Sequence, residues 1–318
     1  MPLDFIQGLY AASLELTDGR PISIVAAERL AETVGRGDVV MVLTGAGVSP
    51  ILPKGESDGP PGAAAVARAL YRGLGAVPTY VLEKHHVEPV VASSESIGLM
   101  VKNFDEAKNH GLGACVEVAP PMQEGVPEWV EKTLEKYNPK AIFCTERIGP
   151  AKNGELHGAT GIPLSRFNST PGAVVDTSPL VVEAKKRGIL TIGVGDLGNE
   201  IGFGAIYDTV AKIIPNGPEL ATTTATDIVY PVMMSNWGAY GIEAALAFVL
   251  EKPELLRTQA QEARLLRACL DAGGLEAAYC TTDFFVDGLD GETSMAVVHI
   301  LGTIVRKYLE PIDTGLAH

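Results

Sequence analysis

Apolar positions fall along this chain in two alternating rhythms. Asp38 to Thr44 is a continuous apolar run bounded by Gly37 and Gly45, the pattern of a strand buried on both faces. Short runs of the same kind recur at Thr79–Leu82, Ala114–Val118, Ala141–Thr145, Leu190–Val194 and Ile228–Val232. Between several of them lie segments with apolar residues at helical spacing: Ser23–Val34, Ala63–Arg72, Glu128–Tyr137, Ser178–Arg187 and Ile201–Ile213. In the first of these Ile24, Ala27, Leu30, Ala31 and Val34 share a side, with Ser23 as the expected N-cap. Strands followed by helices predict an α/β fold, a mostly parallel sheet joined by right-handed crossovers and flanked by helices. The last third reads as helical, at Trp237–Leu250, Pro253–Ala272 and Glu292–Tyr308, with Glu262 and Arg264 on a solvated face. No repeat, low-complexity tract or linker interrupts the pattern, so residues 1–318 are expected to form one α/β domain.

Composition narrows the class of function. Apolar residues make up 46% of the chain and charged residues 20%, which suits a packed globular protein. The net charge of -14, with no clustered basic face, argues against nucleic acid as a partner. No apolar stretch approaches the roughly 20 residues that span a bilayer. The first 20 residues carry Asp4, Glu15 and Asp18 and no basic leader pattern, so they read as an ordinary helix and the expected location is cytoplasmic. Cys115, Cys144, Cys269 and Cys280 are scattered, without a C-x-x-C pair, and are expected to be buried, inert thiols.

Ligands of open α/β sheets gather outside the carboxyl ends of the strands, so the residues that follow each run carry the candidate chemistry. The first such loop runs from Thr44-Gly45-Ala46-Gly47 through Lys54-Gly55-Glu56-Ser57-Asp58-Gly59-Pro60-Pro61-Gly62 into a helix, a composition able to hold phosphate or carboxylate on free N–H groups. It is not a P-loop, because Lys54 precedes Gly55. The second loop sets Glu146 beside Arg147, whose side chains are expected to serve different partners. The third, Gly193-Val194-Gly195-Asp196-Leu197-Gly198-Asn199-Glu200, offers the oxygen donors Asp196, Asn199 and Glu200 at a strand-to-helix junction, a composition suited to Mg²⁺ or Mn²⁺. Asn199 as a helix cap and Glu200 as a first-turn acid are the structural alternatives. A fourth element pairs Ser235-Asn236-Trp237-Gly238, opening a helix, with Asp287-Gly288, where Asp287 either shapes a turn or completes a metal shell. His85 and His86 lack metal-ligand spacing and are expected at the surface or at a sheet end.

Together these blocks resemble the D-glutamate cyclase family in order and spread from about residue 40 to 300, with Gly195-Asp196-x-Gly198-Asn199-Glu200 the most specific. Leu197 and Phe203 stand where relatives often have Gly and Met. Animal members carry such a region as the carboxyl-terminal part of a longer mitochondrial protein, whereas this chain is expected to comprise the cyclase-like region alone. The resemblance implies reversible closure of D-glutamate to 5-oxo-D-proline with loss of water, and divalent metal in at least some members. Some microbial relatives resemble metal-dependent phosphatases instead.

On that footing Asp196 and Glu200, with Asn199 and Asp287, are the expected ligands of Mn²⁺ or Mg²⁺, and Glu146, Asp196 and Glu200 the catalytic residues. Lys54, Ser57, Asp58, Arg147, Asn236 and the N–H groups at Gly59 and Gly62 are the expected grip on a small acidic substrate. A phosphatase and a non-catalytic protein that binds an acidic metabolite are the alternatives, and a homo-oligomer is compatible with an α/β enzyme of this size.

Overall fold

Each of the six buried runs is a strand of a single parallel sheet. The computed structural model of the protein describes residues 3–167 and 174–310. Strands β1 (Val39–Leu43), β2 (Val77–Leu82), β3 (Cys115–Val118), β4 (Ala141–Thr145), β5 (Leu190–Gly195) and β6 (Ile228–Pro231) pair in the order β3-β2-β1-β4-β5-β6. Every pair in this sheet is parallel. Side chains alternate between its faces. Val40, Val42, Tyr80, Phe143 and Ile192 pack on one side against the helices Ile22–Thr33, Pro60–Leu74 and Ser235–Val249. Met41, Leu43, Val81, Ile142 and Cys144 pack on the other against Val126–Tyr137 and Ser178–Lys186. Helices on both faces leave no polar side for the central strands, which is why they read as unbroken apolar runs.

The chain winds outward from β1 through β2 to β3, then returns to place β4 against the other edge of β1. The loops that leave β1 and β4 therefore part in opposite directions, and a crevice opens between them at the carboxyl edge of the sheet. After β6 the chain is mainly helical, with Ser235–Val249, Gln259–Asp271 and Gly291–Leu309, interrupted by a short antiparallel hairpin of β7 (Phe285–Val286) and β8 (Leu289–Asp290). Its turn carries Asp287 and Gly288, both at positive φ.

Several expectations change. The helix that was to begin at Ser23 starts one residue earlier, with Pro21 as its N-cap. Residues 201–203 are not helical, because Ile201 and Gly202 donate N–H bonds to Arg147 and Thr224 and the helix begins only at Tyr207. Pro253–Ala272 splits, since Thr258 and Gln261 form a capping box that starts a new helix at Gln259. Glu262 is buried, not solvated, and pairs with Arg257. Of the four free cysteines, Cys280 is exposed while the others are buried. Among the described residues no helix is long and apolar enough to cross a membrane.

Candidate active site

Two helix starts meet at the crevice and cap each other. Asp58 lies at the end of the β1 loop, and its carboxylate accepts the N–H groups of Ser235 (2.8 Å) and Asn236 (2.7 Å), the first turn of the Ser235–Val249 helix. In return the Asn236 amide oxygen accepts the N–H groups of Gly59 (3.0 Å) and Gly62 (2.7 Å), which open the Pro60–Leu74 helix. The Asn236 amide nitrogen donates to the Ser57 carbonyl at 2.9 Å, and the Ser57 hydroxyl donates to the Phe285 carbonyl at 3.1 Å. So close a crossing needs a glycine, for a Cβ at Gly62 would lie 2.9 Å from that of Ala239. Ser57, Gly59, Gly62 and Asn236 are thus spent on this junction. The sequence predicts these groups as the grip on a substrate; in the structure their hydrogen bonds go to partners within the protein.

What the junction fixes is the position of Asp58. Glu146, the first residue after β4, adopts φ 48°, a left-handed conformation uncommon for a residue other than glycine. The Ser235 hydroxyl donates to it at 2.6 Å. Asp196 follows β5 directly and completes the group: oxygens of Asp58, Glu146 and Asp196 all lie within 4.8 Å of one another. Glu200 stands just behind, but its carboxylate is filled by the backbone N–H groups of Asp196 (2.7 Å), Leu197 (2.9 Å) and Gly198 (2.6 Å). It folds the loop that presents Asp196, and the carboxylate expected as a metal ligand and catalytic group is engaged by the backbone of its own loop. Asn199 borders the cavity, and its amide nitrogen donates to the His157 carbonyl at 2.9 Å.

The group opens into a cavity of about 590 Å³ that is also lined by Glu56 and Asp287. Among the described residues no lysine, arginine or histidine lines it. Burial, with mutual repulsion next, raises these carboxyls: Asp58 and Glu56 through Asp287, Glu146 through Asp196, and Asp196 through Glu200. Asp287 is raised to about 6, by burial first and Glu276 second. An acid held above its unfolded pKa contributes stability at low pH and loses it as pH rises through the folded value. The protein stripped of metal is therefore expected to melt at a higher temperature at pH 5 than at pH 7.5, with Asp287 alone contributing on the order of 1 kcal/mol over that interval. Mn²⁺ added at pH 7.5 should recover that loss. Scanning calorimetry in chelator and with Mn²⁺ checks this; a melting temperature that is flat across pH and insensitive to Mn²⁺ rules it out.

Arg147 points away from the cavity. Its guanidinium is fully buried and meets the Glu83 carboxylate through two bonds of 2.7 Å. It also donates to the Val175 carbonyl (2.9 Å), the Thr177 hydroxyl (3.0 Å) and the Gly45 carbonyl (3.3 Å). The expected carboxylate clamp is instead an internal tie between the loops after β1, β2 and β4. Burial favours the neutral acid, but the charge and hydrogen bonds of Arg147, with help from His86, hold Glu83 well below the usual carboxylate range. His86 lies at a sheet end, just after β2, and not at the surface: it is buried beneath Gly45, Gly47 and Gly55, with its Nδ1 3.1 Å from Glu83. Lys54 is likewise turned outward, to Glu88 and the Ala272 carbonyl. Glu56 and Glu83 were not singled out by the sequence, although Glu83 follows β2 just as Glu146 follows β4 and Asp196 follows β5.

A family model described as D-glutamate cyclase-like, C-terminal, matches residues 10–302. The chain is also similar to D-glutamate cyclase, mitochondrial, of Homo sapiens, with 28% identity over 208 residues. That match covers 61% of this chain but 30% of the human protein.

Proposed function

This chain belongs to the D-glutamate cyclase family, and on that premise we propose that it is a metal-assisted lyase that closes D-glutamate to 5-oxo-D-proline with loss of water. The convergence of Asp58, Glu146 and Asp196, the last two lining a cavity with no cationic side chain among its described residues, carries this reading. Hard carboxylate oxygens of this kind fit Mg²⁺ or Mn²⁺. We assign the three as its ligands. A bound cation would supply Lewis acidity toward the γ-carboxyl group and offset charge in a site that otherwise repels an anionic substrate.

The remaining work falls to the protein. Lactam closure needs a neutral α-amine, and Glu56 and Asp287 line the cavity beside the metal group, positioned to hold an ammonium and take its proton on a carboxylate oxygen. The new bond joins the amine nitrogen to the γ-carboxyl carbon, and the bond from that carbon to one oxygen breaks. Both protons that the nitrogen loses end on the departing oxygen, which leaves as water. Ser235, donating to Glu146, keeps that carboxylate aligned. The setting we propose is cytoplasmic.

The geometry favours this reading over a phosphatase, whose phosphate would have used the N–H groups of Gly59 and Gly62 that Asn236 now occupies. The test incubates metal-stripped protein, with and without Mn²⁺ or Mg²⁺, with D-glutamate, L-glutamate, both 5-oxoprolines and a phosphomonoester, and follows products by chromatography. Metal-dependent interconversion of D-glutamate and 5-oxo-D-proline is expected. Phosphate release alone would replace the proposal with a hydrolase, and tight binding without product would replace it with a binding protein.

A further inference from the structure

A free glutamate uses little of this cavity. Its volume of about 590 Å³ falls among pockets that enclose drug-sized ligands, roughly 300–1,000 Å³. Apart from its acids and Asn199 the lining is apolar, with Phe5, Leu52, Leu164, Leu197, Met233 and Leu289 among it. Leu164, Leu197 and Leu289 each pack into a different apolar cluster of the fold, so the wall is anchored at three separate points. Met233 is 44% exposed, a large apolar side chain left open where it borders the cavity.

Charge points the same way. Glu56, Glu146, Asp196 and Asp287 all line the cavity, with no basic side chain among the described lining residues to meet a second free carboxylate. A substrate whose γ-carboxyl is masked carries one negative charge fewer into this field.

We infer, resting on the cyclase reading, that the preferred substrate is a γ-D-glutamyl amide whose amine portion bears an apolar group seated on this wall. The α-amine nitrogen bonds to the γ-carbonyl carbon and the bond from that carbon to the amide nitrogen breaks. A proton passes from the attacking nitrogen to the leaving one, so 5-oxo-D-proline and a free amine form without water or any further reactant.

The test measures kcat/KM of the Mn²⁺-loaded full chain for D-glutamate, D-glutamine and γ-D-glutamylbenzylamide. The last two release similar amines, so their difference reports the apolar contact. The benzylamide is expected to exceed D-glutamine roughly thirtyfold, the worth of burying an aromatic ring. Met233→Ser and Leu52→Ser should each lower the benzylamide value about tenfold more than the D-glutamine value. If D-glutamate turns over while the benzylamide does no better than D-glutamine, or if both variants lower the two amides equally, the inference is overturned and the cyclase reading stands. Silence with all three compounds overturns both.

Discussion

Replacing Asp196 with asparagine is expected to lower kcat by at least about a thousandfold and to raise the melting temperature of the metal-free protein. Asp196 is the cleanest of the three converging carboxylates to change. Asp58 also caps a helix and Glu146 is tied to Ser235, so either substitution would disturb packing as well as charge. Asparagine keeps the shape of aspartate, and the loop beneath is held through its backbone by Glu200 rather than by the Asp196 side chain. Its loss of charge weakens a cation site, and a lost metal removes the several kcal/mol of transition-state stabilisation that a Lewis acid supplies. The same change relieves repulsion among buried acids, which is why stability should rise as activity falls. Steady-state kinetics, Mn²⁺ titration calorimetry and a thermal melt in chelator read the three effects together. Wild-type turnover in the variant would remove Asp196 from the chemistry, whereas a large drop in melting temperature would make its role structural.

Glu83→Gln is expected to cost about 3–5 kcal/mol of folding stability, a drop of roughly 10 °C in melting temperature. Glutamine leaves the fully buried Arg147 guanidinium without a counter-charge, and the penalty for an unpaired buried ion far exceeds that for a lost neutral bond. A domain whose net stability is about 5–15 kcal/mol has little room for such a loss. Activity should fall with it, because Arg147 ties the Gly45 carbonyl, next in the chain to the cavity-lining Ala46 and Gly47, to Val175 and Thr177. The double variant Glu83→Leu with Arg147→Met should recover much of the stability, since removing both charges leaves neither unpaired. Denaturant melts of the three proteins decide the matter. A single variant within 1 kcal/mol of the parent would show that the pair is solvated and not the tie described above.

The acids that end the strands show how far the sequence could be read. The apolar runs located each strand end, and Glu146 and Asp196, the first residues beyond β4 and β5, were recognised as candidates from position alone. Glu83 holds the same position after β2 and escaped notice, because a Glu-Lys-His-His segment looks like a solvated end. Its partner Arg147 lies 64 residues away and shows no local sign of being buried. Asp196 and Glu200 were indistinguishable as oxygen donors, yet one faces the cavity and the other is consumed by three N–H groups of its own loop.

The sequence by itself determined the layered architecture, the parallel sheet and the edge at which chemistry gathers. Those follow from side-chain periodicity and glycine placement, which act over a few residues and need no distant partner. Which carboxylates would face one another, and which cation would be locked away from them, was decided only by the tertiary structure. The pairing of Asp58 with Ser235 and Asn236, and of Arg147 with Glu83, depends on chain segments brought together by strand order, and the burial that gives those pairs their strength exists only once the layers have closed.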